Sequence, residues 1–431
     1  MKQHTLALTL TSVLAAMAMQ QAHAAAFNLN EHSASGLGRA FAGEAAIADN
    51  ASVLSRNPAA MSRFKSMELS VAGTYVQPNI DLEGKSGISA LGVSASELDA
   101  QDIAPSAFVP TFYLIQPLNE QWAWGLALFT NFGLSTEFDN NYAAGLIGGK
   151  TELTTYNLNP NISYRLNDQW SFGGGISAVY ADATLIRRAG AVSATNPLMS
   201  DDTALVDLSG DTLDWGWNVS SLFELNEANR WGLSYRSGTT LTFKGKFSGS
   251  ASGVSSMSPL TFKEVDGTLD LELPAIAEFS GYHLLSQQFA VHYSVQWTDW
   301  SVFKELTANS PDCNDGTAGE CFSKPEEFSD SWRYAIGGTY YLNNLWTLRA
   351  GLALDRQAAH NVISIPDTER LWYSLGTSYQ ATPALSLDVG VAYLQGKDVT
   401  ISEQLSAGLP NAEYQSSASA FLASAQANYR F

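Results

Sequence analysis

Beyond its N-terminus, the 431-residue chain contains no uninterrupted apolar run of about 18 residues, which excludes a polytopic helical membrane protein. Charge is also scarce, because Asp, Glu, Lys and Arg make up only 15% of the residues, against about 25% in an ordinary soluble domain. Basic residues are the rarer kind, 23 against 42 acidic ones, so the formal net charge is −19. Such an acidic chain lacks the basic surface that phosphate contacts need, which excludes nucleic acid as a partner.

Histidine is almost as scarce as cysteine. Beyond residue 24 the only histidines are His32, His283, His292 and His360, and no Gly-x-Ser-x-Gly sequence accompanies them. A hydrolytic enzyme needs a nucleophile, a base and an orienting acid. We therefore expect no enzyme activity, no metal site and no cofactor.

The two cysteines, Cys313 and Cys321, lie close together in a stretch rich in Asp, Asn, Gly and Ser. In an oxidising compartment this spacing predicts a local disulfide that pins a loop. The alternative is a pair of free thiols. A zinc site would need further His or Cys ligands nearby, and the sequence offers none.

The N-terminus has the pattern of an export signal. Lys2 supplies a positive start, Leu6 to Met19 form an apolar core, and Ala22-His23-Ala24 fits the small-x-small cleavage pattern. We expect residues 1–24 to be a signal peptide; the alternative is a short N-terminal helix.

From about Met67 to the end, large apolar residues alternate with small or polar ones. A clear example places one set on one parity and the other set on the opposite parity: Trp122, Trp124, Leu126, Leu128 and Phe132 against Ala123, Gly125, Ala127 and Asn131. The same pattern recurs at 332–342 and 385–393. A period of two predicts strands with one apolar face. That face belongs either to the core of a soluble sandwich or to the lipid side of a membrane barrel.

Three features favour the barrel. Aromatic residues cluster at segment ends, where a membrane-interface girdle would lie: Trp122-Trp124, Trp215-Trp217, Trp297-Trp300, Tyr340-Tyr341 and Trp346. Six short connections alternate with seven long ones, such as 79–104 and 309–326, which predicts about 14 strands. The chain also ends on an alternating strand with a terminal aromatic residue, Phe431.

The predicted fold class is therefore all-β, a transmembrane antiparallel β-barrel of about 14 strands over residues 67–431. An exported barrel of this kind belongs in the outer membrane of a Gram-negative bacterium, surrounded by outer-membrane lipid and inserted by the outer-membrane assembly machinery. Charged residues on the polar parity should face inward, because an outward Arg at mid-membrane costs about 2–4 kcal/mol. These residues are Arg333, Arg349, Asp388 and Arg430.

Residues 25–66 do not alternate and are rich in small residues, as in the run from Gly36 to Asp49. A barrel of about 14 strands encloses space that its own side chains do not fill. We expect this segment, here called the hatch, to fold inside the barrel as a helical or irregular stopper. The alternative is a periplasmic linker.

The hatch sequence resembles that of bacterial outer-membrane long-chain fatty-acid transporters (FadL-type). The similarity rests on 28–31, 35–40, 43–49 and 57–59, and further matches occur at 102–105, 131–138, 235–237 and 363–367. It extends over essentially the whole mature chain. Within the hatch the matching residues are Gly36, Gly38, Arg39, Asn57, Pro58 and Ala59.

The resemblance implies passive uptake of long-chain fatty acids. It implies an interior apolar pocket and a lateral exit at a kink of the third strand, matched by Asn131, Phe132 and Gly133. Gly133 supports the kink physically, because glycine weakens a strand and tolerates a bulge.

The resemblance also implies residues that contact the ligand, namely Arg187, Lys324 and Phe27. A fatty-acid carboxylate needs a cationic partner, particularly in an acidic barrel. Arg188 is an alternative to Arg187, because neighbours on a strand face opposite sides. The alternative for both Arg187 and Lys324 is a solvated charge in a loop that contacts no ligand.

The substrate stays open between two classes. The outer loop after Arg188 is shorter than in the well-known members of the family, so the external landing site and the substrate can differ. The main expectation is a long-chain fatty acid; the alternative is an aromatic or other hydrophobic hydrocarbon. A general porin or adhesin barrel is a third possibility. We expect a monomer.

Overall fold

A computed structural model describes residues 26–257, 260–359, 362–406 and 408–431. The predicted signal peptide lies outside these ranges. Within them, no helix is long and apolar enough to cross a membrane. One short α-helix, α1, spans Ala34–Leu37, and 3₁₀ turns occur at Ala51–Ser55, Pro58–Arg63, Ser89–Leu91, Ala95–Leu98, Gly190–Thr195, Ser250–Ser252 and Trp300–Val302.

The described residues contain 22 strand segments. They are β1 (Glu68–Ser86), β2 (Ala107–Pro117), β3 (Trp122–Phe129), β4 (Gly133–Glu137), β5 (Lys150–Arg165), β6 (Trp170–Arg188), β7 (Ala204–Asn226), β8 (Asn229–Arg236), β9 (Thr239–Gly249), β10 (Val254–Met257), β11 (Leu260–Phe262), β12 (Glu264–Leu273), β13 (Ile276–Ser286), β14 (Phe289–Thr298), β15 (Glu305–Asn314), β16 (Ala318–Pro325), β17 (Ser331–Tyr341), β18 (Trp346–Asp355), β19 (Arg370–Gln380), β20 (Leu385–Gly396), β21 (Val399–Gln404) and β22 (Asn411–Arg430).

Twenty of these segments form one antiparallel sheet, and β10 and β11 form a separate hairpin. Six pairs of consecutive segments continue one another along the wall: β3/β4, β8/β9, β12/β13, β14/β15, β16/β17 and β20/β21. The first and last strands pair from Glu68↔Arg430 onward and close the sheet. The result is a closed barrel of 14 antiparallel strands, as predicted. Closure leaves no free edge strand at the two ends of the sheet, where unpaired backbone groups would be costly in lipid.

Several of the expected long loops are partly strand. The segment expected as a loop over 309–326 is largely the hairpin β15/β16, and β1 continues to Ser86 within the loop expected at 79–104. The strands extend there because backbone groups above the membrane still pair with their extended neighbours. Loop boundaries drawn from turn residues alone were therefore wrong at these two places.

The outward face carries the large apolar residues. Trp122, Trp124, Trp215, Trp217 and Trp346 are exposed, whereas alternate positions such as Ala123 and Ala127 are buried. The outward face is the one that lipid covers in a membrane barrel.

Two aromatic residues were placed wrongly, Phe132 by strand parity and Trp300 as part of the expected interfacial girdle. Phe132 and Trp300 are buried inside the barrel rather than turned to lipid. Phe132 lies in the break between β3 and β4, and Trp300 begins a 3₁₀ turn between β14 and β15. The period of two does not carry across such breaks.

The inward charges follow the predicted parity. Arg333, Arg349 and Asp388 are buried. Arg430 is at the rim: its side chain is 61% exposed, and its Nε lies 3.3 Å from Glu68 Oε2. It is therefore a rim residue rather than an interior one, because β22 ends there.

Candidate functional site

Nearly all of residues 26–62 are buried, and they hydrogen-bond the barrel wall on different sides. The Ala34 N–H donates to Gln426 of β22 at 2.9 Å, and the Gly43 N–H donates to Ser294 of β14 at 2.8 Å. Glycine lets the two backbones meet directly. A Cβ at Gly376 of β19 would lie 2.7 Å from the Cα of Gly38. At this contact no side chain separates the hatch from the wall.

The Asn57-Pro58-Ala59 motif begins a 3₁₀ turn and fixes it to the wall. The Asn57 Oδ1 accepts from the Ala59 N–H at 2.9 Å, and Pro58 occupies a first-turn position where no N–H is needed. The Asn57 Nδ2 donates to the carbonyls of Ala45, at 2.6 Å, and Ser221 of β7, at 3.0 Å.

Arg39 is the ionic centre of the hatch. Its guanidinium lies 2.7 Å from Glu44 and 2.8 Å from Asp49, and Arg349 of the wall lies 3.3 Å from the same Asp49 carboxylate. Burial by itself lowers the pKa of Arg39, but the carboxylates of Asp49 and Glu44 more than offset this and raise it. Arg39 is therefore charged and, through Asp49, ties the hatch to β18.

Gly36 leaves no room for a side chain, since a Cβ there would lie 2.5 Å from Ser33 Oγ.

The third strand is broken where the sequence predicts a kink. Below the break, β3 pairs with β2 from Phe112↔Leu128 downward; above it, β4 pairs with β5 from Gly133↔Thr154 upward. Within the described residues, β4 has no ladder with β2, so the wall has a gap beside 107–111.

The start of the hatch fills part of this gap. The Leu29 N–H donates to the Asn131 carbonyl at 2.7 Å, and the Gly133 N–H donates to the Phe27 carbonyl at 2.9 Å. Asn28 and Phe132 thereby form an isolated antiparallel bridge. The kink residues and the N-terminal end of the hatch are therefore one hydrogen-bonded unit.

A cluster of buried apolar side chains, here called the chamber, lies behind the kink. The Phe27 ring centroid is 4.5 Å from that of Trp300, 5.6 Å from that of Phe303 and 6.2 Å from that of Phe132. The ring centroid of Phe328 lies 4.8 Å from that of Phe303. The same buried cluster continues into the wall with further residues, including Leu134, Leu153, Leu185, Leu241, Phe243 and Leu271.

Arg187 and Lys324 lie at the edge of this cluster. Arg187 is buried and donates to the carbonyls of Lys150, at 3.0 Å, and Ile186, at 2.9 Å, and to Thr151 Oγ1 at 3.0 Å. The next residue, Arg188, is partly exposed and donates to the Asp202 carbonyl. The structure thus places Arg187, and not its neighbour, inside the barrel.

Lys324 brings two carboxylates that the sequence did not reveal. Its Nζ lies 3.2 Å from Glu403 and 3.8 Å from Glu326, and it contacts Ser364 Oγ at 2.8 Å. Burial raises the pKa of Glu326, and Lys324 offsets this only in part. Glu326 lies two residues after Lys324, so strand parity in the sequence could have predicted that the two share a face. Glu403 lies in β21, and nothing in the sequence links it to Lys324.

A short connection joins this charged group to the kinked strand. The Thr136 hydroxyl of β4 donates to the Ser364 carbonyl at 2.8 Å, and Ile365 belongs to the apolar cluster. Lys324, the apolar cluster and the wall gap are therefore adjacent in the barrel interior.

Cys313 and Cys321 form a disulfide across the β15/β16 hairpin, with Cα atoms 5.0 Å apart. Both sulfur-bearing residues are buried and join the same apolar cluster. The disulfide closes the hairpin above the chamber and takes no part in its chemistry.

Comparison with known proteins agrees with this architecture. The chain is 40% identical over 447 residues to the long-chain fatty acid transport protein of Escherichia coli O6:H1, with 97% of each chain covered. It is 45% identical to the 47 kDa outer membrane protein of Pasteurella multocida, covering 98% of this chain and 97% of that one.

Two solved structures share the fold. A FadL homologue of Pseudomonas aeruginosa superposes with a TM-score of 0.81 at 23% identity, covering 94% of this chain and 99% of that one. The toluene transporter TodX of P. putida gives 0.71 at 16% identity, with 94% and 99% covered. Residues 15–431 match the family described as outer membrane protein transport protein (OMPP1/FadL/TodX). The chain belongs to this family of outer-membrane transport proteins.

Proposed function

We propose that the protein carries long-chain fatty acids passively across the outer membrane, through the interior site of its plugged barrel. The observation that carries this proposal is the amphipathic site itself. An apolar cluster that includes Phe27 and Trp300 lies beside two cations, the buried Arg187 and the partly buried Lys324. A fatty acid has the same arrangement of one anionic end and one apolar chain. Relatives about 40% identical bear the name of long-chain fatty acid transport proteins.

The energetics favour a stoppered barrel over an open pore. Each methylene gains about 0.8 kcal/mol on leaving water, so about fifteen methylenes prefer an apolar site by roughly 12 kcal/mol. An open aqueous lumen offers the chain no such site, whereas the chamber around Phe27, Trp300 and Phe303 does. Passage then needs no energy source, because the ligand ends in another apolar phase.

The wall gap at the kink supplies a route from the chamber into the membrane. Phe27 takes part in both, since its ring packs on Trp300 while its carbonyl accepts from the Gly133 N–H. A ligand that displaces the Phe27 ring also weakens this backbone contact. Lateral exit between β2 and β4 then follows from withdrawal of the hatch N-terminus.

The test is uptake of labelled oleate and labelled toluene by cells that lack their own transporter. We expect cells expressing the protein to take up oleate well above an empty-vector control. Uptake of toluene but not of oleate would show that the substrate is an aromatic hydrocarbon and not a long-chain fatty acid. Steady ion conductance in planar bilayers would instead indicate a general porin.

A further inference from the structure

One of the two interior cations, Lys324, has a counter-charge before any ligand arrives. Glu326 is buried, with a side chain 1% exposed, whereas Lys324 and Glu403 are partly buried, with side chains 17% and 10% exposed. The Glu403 Oε1 lies 3.2 Å from Lys324 Nζ, which is salt-bridge distance, and Glu326 Oε1 lies 3.8 Å from it. Lys324 is therefore already paired with a carboxylate in the structure.

Arg187 differs from Lys324. In the part of the chain that the structure describes, its hydrogen bonds go to two backbone carbonyls and the Thr151 hydroxyl, all neutral acceptors, and no carboxylate lies within 4.0 Å of its guanidinium. An incoming anion thus finds the charge of Arg187 unpaired at contact distance, whereas that of Lys324 is taken by Glu403.

Glu403 holds its place through a second contact. Its Oε2 accepts from the Ile363 N–H at 3.0 Å, while its Oε1 faces Lys324. Glutamine has the same shape and keeps a carbonyl oxygen that can accept from Ile363. A Glu403→Gln substitution therefore removes the charge without removing the tether on the loop.

We infer that Glu403 is the resident counter-ion of Lys324, and that a fatty-acid carboxylate replaces it there on binding. This inference rests on the proposed function and adds a residue that sets its affinity. Binding exchanges one carboxylate for another on Lys324 rather than filling a bare cation. The gain from the head group is smaller as a result, which keeps binding reversible and lets the ligand leave.

The experiment compares two ligands of equal chain length, oleate and the uncharged oleyl alcohol. Binding to the purified full-length protein in detergent is measured by calorimetry for wild type, Glu403→Gln and Glu413→Gln. Glu413 is a matched control, since it is exposed on the neighbouring strand β22. We expect Glu403→Gln to bind oleate about tenfold more tightly, because a competing charge at contact distance is gone. The affinity of Glu403→Gln for oleyl alcohol should differ from that of the wild type by less than about twofold. Glu413→Gln should bind both ligands with wild-type affinity.

Unchanged or weaker oleate binding by Glu403→Gln would overturn the inference, and so would an equal gain for both ligands. If Glu403→Gln does not assemble, Glu403→Asp serves instead, because its shorter side chain withdraws from Lys324 and should also favour oleate over the alcohol. Wild type that binds neither ligand would contradict the proposed function. Wild type that binds both, with no change in selectivity for either variant, contradicts only the role of Glu403.

Discussion

At the scale of single residues, the sequence shows which side chains are unusual but not which ones meet. Arg187 is recognisable as a basic residue near the end of an alternating strand, and strand parity puts it on the face opposite to Arg188. Glu403 was missed, because its partner Lys324 lies far along the chain and only the closed barrel brings them together. Pairings between distant strands are set by register, which a single sequence does not display.

Replacing Arg187 by Gln should weaken oleate binding by about tenfold to a hundredfold, since a buried charged donor at the head-group site is lost. Oleyl alcohol should bind as before. Arg188→Gln is the matched control, because Arg188 is the partly exposed neighbour. Calorimetry on the purified variants measures both. An equal loss for Arg188→Gln would show that the effect comes from general surface charge.

The buried carboxyl group of Glu31 should make the stability of the packed hatch depend on pH. This hatch residue is buried and its Oε2 has no hydrogen-bond partner among the described residues. Burial raises the pKa of Glu31 to about 7, from 4.5. The packed hatch therefore favours the protonated form. Its stability is fully present below pH 4.5 and falls as the pH rises through 7, by up to about 3 kcal/mol.

This loss of hatch stability is measured as the conductance of single barrels in planar bilayers between pH 5 and pH 8. We expect more frequent openings at the higher pH. Glu31→Gln keeps the shape but does not ionise, so its openings should not change with pH over this range. Identical pH dependence in the variant and the wild type would rule out Glu31 as the cause.

At the scale of elements, a period of two was sufficient to predict the strands, and it failed where strands break. Phe132 keeps the parity of the outward residues of β3 in the sequence, yet it is buried. Gly133 signalled the kink, since glycine weakens a strand. Nothing in the sequence signalled that 27–29 pairs with the kink, because that contact depends on the hatch lying inside the barrel.

Gly133→Val should lower oleate uptake several-fold without preventing barrel assembly. A β-branched residue stiffens the extended backbone at the point where the wall gap must widen. Leu128→Val is the control, because it places the same residue on β3 below the kink. Uptake is measured in cells with equal amounts of folded protein in the outer membrane. Full uptake by Gly133→Val would argue against exit at this position.

At the scale of the whole molecule, composition and connection pattern were enough to predict a 14-stranded barrel, because alternating short and long connections count the strands. Loop lengths were less accurate, since strands such as β15 and β16 continue above the membrane. The hatch packs against the wall through contacts such as that of Ala34 with Gln426, and we propose that it closes the lumen.

Deleting residues 25–64 should leave a folded barrel with a conducting lumen. The wall closes on itself through β1 and β22, so the sheet does not depend on the hatch for its edges. Ion conductance in planar bilayers should rise roughly tenfold or more over wild type, as expected for an unplugged barrel of this size. Heat-modifiable electrophoretic migration verifies that the variant is folded. A folded variant with wild-type conductance would show that the hatch does not seal the lumen.

The most direct measurement of the central claim is the position of a bound fatty acid. Crystals grown with an ω-brominated long-chain fatty acid locate the end of the chain by the anomalous signal of bromine. The account predicts the bromine among Phe27, Trp300 and Phe303, with the carboxylate beside Arg187 and Lys324. Bromine found only on the outer surface of the barrel, with the interior site unchanged, would contradict it.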